Sequence, residues 1–262
     1  MVCEIQKEHK RIRGRDQIKK SIMPKRPISF LFAFILLTGL FSLPKATIAQ
    51  SSEIPLIPFK KIHSITIDGI LTDWNNQKNL FSVDQFISPW GNQNFGKTIF
   101  KAFHDGAYFY FYFDIKDNNI VEKKFEKEED VGRGDRGEIF LSVDPGLKEY
   151  YCFEISPSAK VLDYRATHYR MFDYAWDLES LEVKSKIKPD GYILEGRIPM
   201  AFIKKIMDSN SGQSVYLGLF RGEFDSLEWN EKSINWLSWI RPTGKKPDFH
   251  IPSAFKKVQF GQ

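Results

Sequence analysis

The 262-residue chain predicts an all-β fold: an antiparallel, jelly-roll-like β-sandwich with one short helix, preceded by a signal peptide. Three observations carry this reading. Apolar and polar or aromatic residues alternate with a period of two, most plainly in Tyr108-Phe109-Tyr110-Phe111-Tyr112-Phe113, where Phe takes one face and Tyr the other. Turn signals break these runs at short intervals. Helical periodicity is scarce, so the strands do not alternate with helices as an α/β fold requires.

Taken in order, residues 61–67 form the first candidate strand and end at Asp68-Gly69. Residues 98–104 and 108–113 flank Asp105-Gly106, a hairpin signature. Residues 138–143 run into Asp144-Pro145-Gly146, and 150–155 and 160–165 follow. Residues 181–187 and 192–198 flank Pro189-Asp190-Gly191. Residues 199–207 predict two helical turns, with Pro199 at the first position and Phe202, Ile203 and Ile206 turned inward. Strands at 215–220, 236–240 (before Pro242-Thr243-Gly244) and 257–260 complete the set. The charge run from Glu122 to Asp130 reads as a solvated loop or edge.

Residues 28–41 are an uncharged apolar run behind Lys25 and Arg26, and Thr47-Ile48-Ala49 supplies the small residues a signal peptidase accepts. The run is shorter than the ~20 residues a bilayer span needs. The expected organisation is therefore a leader over 1–49 and one mature domain over 50–262, exported to the periplasm, cell surface or medium. An uncleaved leader is the alternative, and would be the only membrane contact. The 22 basic-rich residues before Met23 are long for a leader, so Met23 is a second candidate start.

The chain's net charge of +5 belongs to the leader. Residues 1–49 hold 10 of the 38 Lys and Arg and 3 of the 33 Asp and Glu, which leaves the mature part 28 basic against 30 acidic groups. That balance gives no reason to expect a nucleic-acid partner. Of the two cysteines only Cys152 remains, inside the apolar run Tyr150-Tyr151-Cys152-Phe153. No internal disulfide or cysteine-rich metal site follows, and a buried inert thiol does.

Five segments then occur in a telling order: Ile67-Asp68-Gly69-Ile70-Leu71-Thr72-Asp73-Trp74, the stretch from Phe103 to Tyr110, Asp135-Arg136-Gly137-Glu138, Gly191 to Pro199, and Pro247-Asp248-Phe249-His250 onward. The series resembles the family-nine carbohydrate-binding modules, first recognised beside xylanases, and spans about residues 60–262. The resemblance implies a β-sandwich that binds polysaccharide chain ends, holding the sugar between two Trp rings with a Glu on its hydroxyls. Glu138 falls on the position of that Glu and Phe249 on the second stacking ring. Gly132 stands where the first Trp would be, so one wall of the clamp is missing. A glycoside hydrolase is the partner that this context implies, and calcium the metal.

Pyranose C–H faces pack flat on aromatic rings, while the hydroxyls suit carboxylates and guanidiniums. Candidate platforms are Trp176, Trp239, Trp90 and Phe249, each Trp reading as readily as a core or rim packing residue. Candidate hydroxyl partners are Arg136, Glu138, Arg170, Arg221 and His250, with a buried ion pair of Arg221 and Glu223 the equal alternative at that strand end. Trp74 reads as core, and the Tyr108, Tyr110, Tyr112 stripe as a face covered by loops or open to a groove. Two other classes stay open. One is a glycoside hydrolase acting through Glu223, Asp225 and Glu228, whose spacing matches E-x-D-x-x-E, although the sequel to Ser226 looks like strand exit. The other is a haem or redox-partner sandwich drawing axial ligands from His63, His104, His168, His250, Met171 and Met200. For calcium, Asp68, Asp73, Asp144 and Asp163 offer loop oxygens.

Overall fold

Alternation along the chain builds two facing sheets. The computed structural model describes residues 53–61, 65–91, 95–208, 212–228 and 233–262. The expected leader, the cleavage site and His63 lie outside these residues. The strands are β1 (Leu56–Ile57), β2 (Phe81–Val83), β3 (Thr98–His104), β4 (Tyr108–Lys116), β5 (Arg136–Ser142), β6 (Tyr150–Ile155), β7 (Val161–Thr167), β8 (Met171–Asp173), β9 (Glu182–Lys188), β10 (Gly191–Pro199), β11 (Ser214–Phe224), β12 (Ile234–Ser238) and β13 (Lys256–Phe260). One helix, α1 (Met200–Asp208), follows β10 directly.

The larger sheet runs β1-β13-β11-β5-β6-β7-β8 with β12 also on β11; the smaller runs β2-β3-β4-β10-β9. Every pairing between strands is antiparallel except that of β1 with β13. The short strands β1, β2 and β8 are too brief for a period of two to register in sequence. The strand expected over 61–67 does not form at its described end: residues 65–67 are irregular. They lay Ile65 and Ile67 over the smaller sheet instead.

Between the sheets, Phe100, Phe109, Phe111 and Phe113 meet Ile139, Leu141, Phe153, Leu217 and Leu219, and α1 adds Ile203 and Ile206. Each such side chain, wholly buried, contributes about 1.5–3 kcal/mol. The Tyr face of β4 is covered by a loop: Trp74 sits edge-on to Phe103 and Tyr112 at 5.1 and 4.8 Å. Glu195 of β10 fastens that loop. Its carboxylate accepts from Trp74 Nε1 and Gly69 N at 2.7 Å and from Asp68 N at 3.0 Å. Gly69 holds φ +80°, and a Cβ there would stand 2.7 Å from the Ser185 backbone. The Asp-Gly…Trp motif is thus a structural clasp on β10.

A candidate sugar-binding cavity

The outer face of the larger sheet carries its own chemistry. Glycine and inward residues on β5 (Gly137, Ile139, Leu141) leave Arg136, Glu138 and Phe140 pointing outward, because successive side chains alternate. Register then lines up neighbours: Trp236, Gly222 and Arg136 form one cross-strand row, and Phe220, Glu138, Glu154 and Leu162 form the next. Gly222 matters because it has no side chain. A Cβ there would meet Arg136 Nη1 at 2.9 Å, so the glycine lets the guanidinium lie across the sheet.

Arg136 Nε stands 2.9 Å from Glu138 Oε1 and 2.7 Å from Glu154 Oε2. Its Nη1 donates to the carbonyls of Gly134 and Gly132 at 3.0 and 3.3 Å, and its plane lies 5.3 Å from the Trp236 ring centre. The Nε contacts are ionic and off the N–H direction, which leaves Glu138 Oε1 without a directed hydrogen bond. Tyr164 donates to Glu154 Oε1 at 2.8 Å. Burial outweighs the pull of Arg136 at Glu138, and with the charge of Glu154 it pushes Glu138 up to about 8.

Above the triad opens a cavity of about 570 Å³. Glu129, Gly132 and Arg133 line one side, and the β7–β8 segment lines another with Arg170, Phe172 and Tyr174. Residues 247–250 and Trp236 close the rest. Asp248 ties two of these walls: it accepts from Arg170 Nη1 at 2.8 Å and from the Tyr169 hydroxyl. His250 stacks on Phe140 at 5.3 Å, and its Nδ1 lies 3.1 Å from the Tyr150 hydroxyl. Burial, reinforced by the charge of Arg170, lowers His250 to about 3, so its ring is neutral.

Of the residues singled out from sequence, the structure brings Glu138, Arg136, Arg170, Phe249 and His250 together here, with Gly132 on the rim. Two of them play parts other than those expected. Glu138 is only 1% exposed and held against Arg136, so it forms floor rather than rim. Phe249 is stacked on Phe220 at 4.0 Å and 11°, with Trp236 edge-on and Trp90 tilted beside it, so it is a packed wall and not an open platform.

Three residues lie elsewhere. Trp176 packs on Tyr151, Phe153 and Phe202 at the margin of the inter-sheet core. Trp239 packs on Phe81 at 5.9 Å, in the same core. Arg221, one position along β11 from Phe220, points between the sheets and is wholly buried. There it donates to Thr98 Oγ1 at 3.1 Å and pairs with Glu223. The sequence reading missed Trp236, Phe172, Tyr174, Glu154 and Asp248. Glu154 carried a signal, as a lone acid within the apolar run of β6.

The other constellations do not assemble. Glu223 is buried beside Arg221, β11 ends at Phe224, and Asp225 and Glu228 are exposed beyond it. No pair of carboxylates there flanks an open cleft. Among the haem-ligand candidates, His250 lines the cavity above, Met171 is exposed, and His104 and Met200 line a different cavity. The calcium candidates are scattered and committed to turns: Asp68 to Ile70 N, Asp73 to Thr66 N, Asp144 to Gly146 N and Asp163 to Leu178 N.

Asp117, Asp135 and Glu223 are the one described group of three carboxylates close enough for a metal. Asp135 spends both oxygens on the amides of Phe224 and Val121, however, and Glu223 holds the Arg221 guanidinium. Asp117 Oδ2 alone lacks a hydrogen-bond partner. Calcium takes six to eight oxygens, so these residues do not fit a resident calcium ion; Arg221 is their cation.

Residues 67–261 match a family model described as carbohydrate family 9 binding domain-like. A search of curated proteins finds no match. Among solved structures, a protein of proposed carbohydrate-binding function from Bacteroides uniformis ATCC 8492 superposes with a TM-score of 0.60 at 15% identity, over 79% of this chain and 100% of that one. A family 9 carbohydrate-binding module from Caldicellulosiruptor kristjanssonii in complex with cellotriose gives 0.53 at 17% identity, over 80% and 94%. A family 9 module from the same organism in complex with glucose gives 0.50 at 18% identity, over 79% and 96%.

Proposed function

The chain belongs to the carbohydrate family 9 binding domain-like family, and on that premise we propose that it is an exported, non-catalytic domain that binds oligosaccharide or polysaccharide chains through the cavity over Arg136, Glu138 and Glu154. The observation that carries this reading is the make-up of that cavity. Two positions singled out by the family resemblance, Glu138 and Phe249, meet in one concavity whose open surfaces are aromatic and whose floor is a hydrogen-bonding triad. Tyr174 is 51% exposed, and Phe172 and Trp236 are half-buried; these rings, rather than Phe249, offer faces to a pyranose. Arg170, Asp248, Arg133 and Glu129 stand around them for the hydroxyls. Export rests on the apolar run at 28–41 and its small-residue exit, and a role beside a glycoside hydrolase in polysaccharide breakdown follows the family context.

The test is a glycan panel followed by calorimetry on the full chain, using soluble β-glucan and xylan oligosaccharides. Binding is expected at about micromolar or weaker, since only one side of the cavity carries well-exposed rings. Tyr174→Ala should weaken it about tenfold with an unchanged melting temperature. No binding across the panel, or a Tyr174→Ala chain that binds as the parent does, would sink the reading.

A further inference from the structure

A second cavity, of about 390 Å³, lies between the start of α1, the β3–β4 turn and the end of β13, and shares no lining residue with the first. Its floor is His104, the last residue of β3. The imidazole is 5% exposed and set edgewise between Phe59 and Phe260, at 5.6 and 5.4 Å. Both ring nitrogens are buried and without a hydrogen-bond partner of good geometry among the described residues; the Gly261 backbone lies close enough to act as an acceptor for one of them, which leaves the other to the cavity. Buried polar groups in folded proteins are nearly always satisfied, so a ring left in this state and lining a cavity asks for an occupant. Burial also lowers the His104 pKa, which keeps the ring neutral, with one nitrogen a donor and the other an acceptor.

The remaining walls define what fits. Phe260, Met200 and Met207 are buried and apolar, two of them thioethers that pack well against aromatic rings. Lys204, on the exposed face of α1, lines the same cavity near enough for its charge to act on His104. Among the described residues it has no carboxylate partner. The cavity is therefore polar and neutral at its deep end, apolar along its sides and cationic at its mouth. Its volume is within the range of small-molecule sites. A hydroxyl suits a neutral imidazole at either nitrogen, donating to the bare one or accepting from the N–H, and a carboxylate is the group an ammonium draws.

We propose that this cavity binds a small aromatic monocarboxylate with a phenolic hydroxyl at its far end, the ring lying between Phe260 and the methionines, the hydroxyl on His104 and the carboxylate at Lys204. This site is independent of the sugar-binding cavity and does not require it.

Calorimetric titration of the full chain with 4-hydroxycinnamate tests it, with cinnamate and phenol as comparators. A dissociation constant of about 0.1 mM is expected. Cinnamate, lacking the hydroxyl, should bind about fivefold more weakly, and His104→Phe should abolish that difference. Lys204→Gln, an exposed change that does not threaten folding, should weaken 4-hydroxycinnamate about threefold to fivefold and leave phenol unchanged. Tyr174→Ala should leave all of this intact. Absence of saturable binding, or equal binding of 4-hydroxycinnamate to parent and Lys204→Gln, overturns the proposal. A Soret band in the purified chain that is lost in His104→Phe would also overturn it, because the ring would then be an iron ligand.

Discussion

Gly132 and Glu138 show how single positions set the character of the proposed sugar site. At Gly132 an added Cβ would meet only Leu162 Cδ2 at 3.8 Å and Glu154 Oε2 at 3.9 Å, ordinary contact distances. The family resemblance places a tryptophan at this point. Gly132→Trp should therefore fit without unfolding the chain and supply a second ring against the sugar. Calorimetry should show about tenfold tighter binding, ~1.4 kcal/mol. At Glu138 the acid carries its proton near neutral pH, so Glu138→Gln copies its neutral form in shape. The melting temperature at pH 6 should change little in differential scanning calorimetry, and a large drop would show that Glu138 works as an anion. Arg136→Ala is the contrasting change. It removes the one guanidinium from a floor that holds two buried carboxyl groups and its bonds to the Gly132 and Gly134 carbonyls, and should cost about 3–5 kcal/mol in urea unfolding.

At the scale of elements, the cavity depends on a tie between an edge hairpin of the larger sheet and a loop that no strand pairing joins to it. The β7–β8 hairpin carries Phe172 and Tyr174, while residues 247–250 carry Phe249 and His250. Asp248 accepts from Arg170 and Tyr169 on the first and from His250 N, at 2.9 Å, on the second. Asp248→Ala should thus weaken sugar binding more than threefold and speed amide exchange in β8, with β5 and β6 unaffected; unchanged exchange in β8 would argue against the tie. Much of the element pattern was legible. The hairpin of β3 and β4, the β9–β10 pair and the helix after Pro199 follow from period two, turn residues and one proline. What sequence left open was which face each strand presents. Trp236 and Trp239 are three positions apart, and a shift of one residue exchanges the faces. Only the pairing of Trp236 with Gly222 places it over Arg136 and leaves Trp239 in the core. Arg221 likewise was a candidate ligand contact until its register set it between the sheets. The motif positions Glu138 and Phe249 lead to one cavity because they are fixed by chain order. Their exposure depends on neighbours that are distant in sequence.

At the scale of the whole molecule, the described residues bury more acid than base, and stability should record that. Burial is the leading cause for each of four carboxyls: Asp135 and Glu138 are pushed up to about 8, Glu223 to about 7 and Asp163 to about 6. In the unfolded chain these groups titrate near 4. Between pH 4 and 8 the folded state therefore holds protons that the unfolded state has released, and stability falls as pH rises through that window. His250 acts in the opposite sense. Its folded pKa of about 3 lies below the unfolded value of 6.5, so protonation of the unfolded chain draws stability away as pH falls below about 6.5. Four acids outweigh one imidazole between pH 4 and 8, so the trend of the acids prevails there. Melting temperatures measured from pH 4 to 9 should be highest toward the acid end and decline toward pH 9. The decline should lessen in Asp135→Asn, which cannot lose a proton between Glu223 and Asp117. The amide still accepts through its oxygen from one of the two backbone N–H groups that Asp135 serves, Val121 and Phe224, so some loss of absolute stability is expected; the slope is the decisive reading. Cys152 is fully buried and is the one cysteine among the described residues, so reductant should leave the whole curve unmoved. A parent chain whose stability rises steadily from pH 6 to 9 would show that the acids around Arg221 and Arg136 are ionised in the folded state, with the two guanidiniums outweighing burial.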